Sequence, residues 1–69
     1  MKSVIASNVK TIIQERCLKQ SLVARKAGYT AQAFSNMLNG RKIITDVDVL
    51  NIANALDVDT NELFKKEGA

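Results

Sequence analysis

Proline is absent from the sequence and glycine occurs only three times. With breakers of regular structure so scarce, 46% apolar residues argue against a disordered or sheet-rich chain and for a folded, all-α one. Histidine is also absent, which leaves no imidazole base and no obvious zinc site. The single cysteine, Cys17, cannot close an internal disulfide, in keeping with a reducing compartment. No apolar run exceeds three residues, so neither a membrane span nor an export signal is read. The cytoplasm is the expected location.

Acidic residues are nearly missing from the first two thirds. Residues 1 to 45 carry eight basic side chains (Lys2, Lys10, Arg16, Lys19, Arg25, Lys26, Arg41, Lys42) against Glu15 alone, a net +7. Residues 46 to 69 carry Lys65 and Lys66 against Asp46, Asp48, Asp57, Asp59, Glu62 and Glu67, a net −4. Such asymmetry suggests that the first part faces a polyanion while the last part does something else. A chain of this length buries only about 60% of its unfolded surface and supports one core, so residues 1–69 are read as one domain.

What remains is a series of amphipathic segments. Ile5, Val9, Ile12 and Ile13 predict a first helix from residue 3 to about 16. Val23, Ala24 and Ala27 mark a second from Gln20, ended by Gly28. Thr30 is a natural N-cap for a third helix running to about Leu38, which Asn39-Gly40 stops. Thr45 with Asp48 has the form of a capping box for a fourth helix with the stripe Val49, Ile52, Ala53, Leu56. Asp59 with Glu62 repeats that pattern before a short fifth helix carrying Leu63 and Phe64.

The second helix, the turn at Gly28 and the third helix fit a helix-turn-helix unit over about residues 20 to 39. Ala24 is small where the helices must touch, and Val23, Ala27, Tyr29, Phe34 and Met37 face inward. The outer face of the third helix holds Ala31, Gln32, Ser35, Asn36 and Asn39, with no charge among them. Solvated helix faces usually carry Glu and Lys, so this one is read as a surface that fits against a partner. Amides and hydroxyls match donor and acceptor patterns on base edges, and an alanine methyl can pack on that of thymine.

At this point the sequence resembles the Cro- and repressor-like (Xre-type) helix-turn-helix transcriptional regulators of phages and bacteria. The resemblance runs from Asn8 to Phe64 and rests on "NVKTI", "LKQSLVARKAGYTAQAFSNMLNGRK" and "VLNIANALDVDTNELF". It implies a compact five-helix bundle of the phage-repressor type whose third helix enters the major groove of double-stranded DNA, commonly as a homodimer on a two-fold-related operator. Carried over by position, Ala31, Gln32, Ser35 and Asn36 face base edges, with Gln32 and Asn36 placed for bidentate readout, most naturally of adenine. Gln20 begins the second helix, touches a phosphate and helps brace Ala31. Thr30, Asn39, the amide of Gly40, Arg41 and Lys42 hold phosphates and set register.

Four positions depart from the family pattern. Lys19 stands where Ser or Thr usually caps the second helix, so that cap is lost and a cation gained beside the expected phosphate path. Cys17 stands where glycine often ends the first helix, so the helix is expected to run on through it, with the thiol a structural filler rather than a sensor. Ile13 and Leu38 occupy the positions of an Arg–Glu ion pair, so an apolar contact is expected in its place.

Other functions are less well supported. The stretch "DVDTNE" lacks the glycine and the final glutamate of a calcium loop, and helix capping accounts for its carboxylates. No base is available to activate a serine or Cys17, so an enzyme is not expected, nor is a cofactor, a metal or a small-molecule ligand. The alternative is a protein-interaction module or an antitoxin on the same fold. Of Leu50, Val58, Leu63 and Phe64, most should close the core, and one or two left outside would suit a two-fold dimer contact.

Overall fold

The computed structural model describes residues 4–65. Within them lie five helices and no strand: α1 Val4–Glu15, α2 Gln20–Ala27, α3 Ala31–Leu38, α4 Asp46–Leu56 and α5 Thr60–Phe64. The expected helix start at residue 3, and the charges of Lys2, Lys66 and Glu67, lie outside the described residues.

The apolar stripes meet in one core. Val9, Phe34, Met37, Ile52, Leu56 and Leu63 are fully buried, one or two from each of α1, α3, α4 and α5, and α2 adds Val23, Ala24 and Ala27. Each large side chain so buried contributes roughly 1.5–3 kcal/mol towards the cost of ordering the chain. Helix α2 packs on α3 and α4, α1 on α3 and α5, and α4 on α5. Ile13 and Leu38 are both buried in this core, as an apolar replacement for an ion pair requires.

Four helices end in the same way. The amide of Leu18 donates to the carbonyl of Ile13, Tyr29 to Ala24, Arg41 to Asn36 and Val58 to Ala53, at 2.8 to 3.0 Å. In each case the residue before the donor is left-handed: Cys17 (φ 54°), Gly28 (φ 89°), Gly40 (φ 79°) and Asp57 (φ 56°). These are Schellman turns, which pair carbonyls the helix itself leaves unpaired. The expectation that α1 would run through Cys17 is therefore corrected. The helix stops at Glu15, and cysteine adopts the conformation that glycine would take more easily.

Helix starts follow their side chains. The hydroxyl oxygen of Thr30 accepts from the Ala33 amide at 3.1 Å, and Thr45 with Asp48 forms a complete capping box. The pattern expected for α5 is only half formed. Asp59 accepts from the Asn61 amide at 3.1 Å, while the Glu62 carboxylate turns to Lys65 at 3.6 Å. Asn8 of α1 closes the far end of α5 by donating to the carbonyls of Leu63 and Lys65 at 2.7 and 2.6 Å.

Candidate nucleic-acid interface

Gly28 permits the sharp turn between α2 and α3. A side chain there would meet nothing within 4 Å, so the demand for glycine is conformational rather than steric. Ala24, wholly buried, lets the two helices approach. With Phe34, Met37 and Leu38 turned into the core, the opposite side of α3 projects outward.

That outer face carries all four residues expected to read bases. Ala31 and Gln32 are exposed, while Ser35 and Asn36 are partly so. The structure adds an order that spacing alone does not supply. Gln32 Nε2 donates to Asn36 Oδ1 at 3.1 Å, and Asn39 Nδ2 donates to Ser35 Oγ at 3.2 Å. Each pair spans one helical turn, so the amides form two short rows along the helix. Gln32 keeps its carbonyl oxygen and one N–H for a partner, and Asn36 keeps both amide protons.

The residues expected to hold phosphates stand at the start of α2, at the N-cap of α3 and in the stretch just after α3. Lys19 and Gln20 are exposed at the start of α2, where no side chain caps the helix and no acid stands in the first turn. The Gln20 side chain makes no hydrogen bond among the described residues. Thr30 spends its acceptor on its own helix but keeps its proton to donate. Asn39, Gly40, Arg41 and Lys42 are all exposed after α3. The Gly40 amide leans on the Met37 carbonyl at 3.4 Å, a long bond that a better acceptor could replace.

Charge is distributed unevenly over the surface. Among the described residues the one salt bridge is Glu62 with Lys65, so Lys10, Lys19, Arg25, Lys26 and Arg41 form none there, while Lys42, also without a salt bridge, lies near enough to Asp48 for its charge to help hold that carboxyl low. Arg16 is different: it donates to a backbone carbonyl and is turned toward the protein.

A polar cluster that sequence reasoning missed ties this region together. The Tyr29 hydroxyl donates to Asp48 Oδ1, and Asn51 Nδ2 donates to the Tyr29 oxygen at 3.3 Å. The Tyr29 hydrogen bond, with the Thr45 amide next, holds the Asp48 carboxyl below the usual aspartate range. Burial, with the bond to Asp48 next, pushes the Tyr29 hydroxyl up. The capping pattern had already singled out Asp48. Its second partner lies nineteen residues away, beyond any helical period.

The described residues contain no group of three or more His, Cys, Asp or Glu arranged to hold a metal ion. No helix among them is long and apolar enough to cross a membrane. Compared with known protein families, residues 12–63 match a family described as a helix-turn-helix domain. No curated protein matches the chain significantly.

Proposed function

The chain belongs to the helix-turn-helix domain family, and from that footing we propose that it is a sequence-specific regulator of transcription, a repressor, that reads double-stranded DNA through the major groove with α3. A domain of this family points to DNA as the partner. The observation that carries the finer reading is the charge-free outer face of α3, followed directly by the cations Arg41 and Lys42, which form no salt bridge among the described residues. A uniform phosphate-binding surface would have no use for an uncharged face at its centre. A base-reading surface needs amides and hydroxyls there, with cations at its edge.

In this reading Ala31, Gln32, Ser35 and Asn36 meet base edges, while Lys19, Gln20, Thr30, Asn39, Gly40, Arg41 and Lys42 hold the backbone. The protein acts in the cytoplasm, without catalysis, cofactor or small-molecule ligand, and its activity follows its concentration. It works as a homodimer on a two-fold-related site. Leu50 and Phe64 support that part, since both are exposed whereas Leu63 is buried and Val58 partly so.

The test is selection of bound duplexes from a random double-stranded pool at near-physiological salt. Enrichment of two related half-sites about one helical turn apart is the expected result. A single half-site removes the dimer and keeps the DNA reading. Absence of enrichment removes the reading in favour of an interaction module or antitoxin. On the recovered site, Gln32→Ala should cost about 1–3 kcal/mol and relax preference at one base position. Lys42→Ala should weaken all duplexes alike and lower the log–log salt slope by about one.

A further inference from the structure

The loop after α3 starts and ends on fixed points. At its start the amides of Arg41 and Lys42 both donate to the Asn36 carbonyl, at 2.8 and 3.2 Å. At its end, Asp48 Oδ2 accepts from both the Thr45 amide and the Thr45 hydroxyl, each at 2.9 Å. Only Ile43 and Ile44 separate Lys42 from Thr45, and a residue spans at most about 3.6 Å, so holding Thr45 limits where Lys42 can go.

The other oxygen of the same carboxylate faces a different element. Asp48 Oδ1 accepts from Tyr29, the residue just before the N-cap of α3. Because Asn51 already donates to the phenolic oxygen, the single phenolic proton goes to Asp48. The Tyr29 ring lies nearly parallel to that of the buried Phe34 in α3, with centroids 6.4 Å apart and planes at 12°. A chain of contacts thus runs from the core side of α3 through Phe34, Tyr29 and Asp48 to Thr45 and the loop that carries two exposed cations.

We propose that Tyr29 and Asp48 are positioning residues for DNA binding: together they hold the 39–45 loop in a fixed place relative to α3, so that Arg41 and Lys42 meet phosphates when α3 meets bases. This rests on the DNA-binding reading above and adds residues that touch no DNA. Its physical content is pre-organisation. A loop already in place need not be ordered on binding, so its contacts contribute more of their energy to affinity.

The test is a double-mutant cycle in the full chain with Tyr29→Phe, Lys42→Ala and both together. Binding is measured on the selected duplex and on an unrelated duplex, over a range of salt, at a temperature where circular dichroism shows every variant folded. Tyr29→Phe keeps the ring and removes the proton. It should weaken both duplexes about five- to tenfold, the worth of one hydrogen bond, and the Lys42→Ala loss should shrink in its presence. A merely structural Tyr29 would lower the unfolding midpoint and leave the Lys42 contribution to affinity intact. Additive losses overturn the proposal. If Tyr29→Phe does not fold, Asp48→Asn, whose amide keeps one acceptor oxygen where the carboxylate has two and so breaks one end of the link, goes through the same cycle under the same criteria. Wild-type protein that binds neither duplex removes the DNA reading itself, a result distinct from additivity.

Discussion

Arg16 donates from Nη1 to the backbone carbonyl of Leu56 at 2.6 Å, joining the end of α1 to the end of α4. Carbonyls in the last turn of a helix lack partners within it and carry partial negative charge, which a guanidinium satisfies. The sequence reading counted Arg16 among the cations facing a polyanion. It instead closes the fold.

Arg16→Ala should therefore lower unfolding stability by about 1–2 kcal/mol in a denaturant titration, the range of a charge-assisted hydrogen bond near the surface. The salt dependence of DNA binding should not change. A reduced salt slope with unchanged stability would return Arg16 to the phosphate-facing set.

The left-handed turns predict an order of stability. Cys17 at φ 54° bears a conformational cost of about 1–2 kcal/mol that glycine avoids, partly offset by the greater freedom of glycine when unfolded. Cys17→Gly should thus raise stability by about 0.5–1 kcal/mol, with Cys17→Ala near neutral. Gly28→Ala should lower it by about 1–2 kcal/mol for backbone reasons alone, since the added carbon would meet nothing within 4 Å. Thermal melts ranking Gly28→Ala below wild type and Cys17→Gly above it would bear this out. The reverse order would place the strain elsewhere.

Gln32 and Asn36 are hydrogen-bonded to one another at 3.1 Å, so they should act on DNA as a unit. In a double-mutant cycle on the selected duplex, Gln32→Ala and Asn36→Ala should couple by about 0.5–1 kcal/mol, each loss being smaller once the other amide is gone. Strict additivity would mean that the pair separates before it reaches the bases.

The Tyr29–Asp48 bond should make stability depend on pH at both extremes. Asp48 is held below its ordinary value, so its contribution is complete above about pH 4 and fades as the pH falls through the lowered value. Tyr29 is pushed above its ordinary value, so its contribution is complete below about pH 10 and fades as the pH rises through the raised one. The difference in urea midpoint between wild type and Tyr29→Phe should accordingly be level across the neutral range and shrink towards both ends. A difference that varies between pH 6 and 8 would point to another group.

Much of the fold was legible in local order. The helix starts at Thr30 and Thr45 follow from hydroxyls that reach amides three residues on, and the stops at Gly28 and Gly40 follow from residues tolerant of positive φ. The stop at Cys17 was not legible, because nothing in a cysteine announces a left-handed turn. That turn is held by the Leu18 amide on the Ile13 carbonyl and by the burial of Ile13. The outer face of α3 was read correctly as a set, since helical period alone places its members together. The hydrogen bonds within it depend on rotamers that period does not specify.

By itself the sequence determined where the helices lie, which faces turn inward, and that one uncharged face stands within a basic region. Each of these depends on residues within about four positions of one another, the range over which capping and helical period act. Tertiary structure alone decided which distant polar groups meet: Arg16 with Leu56, Asn8 with Leu63 and Lys65, and Tyr29 with Asp48. These bonds join helices whose relative placement is set by core packing. A side chain learns its partner only after the apolar faces have closed.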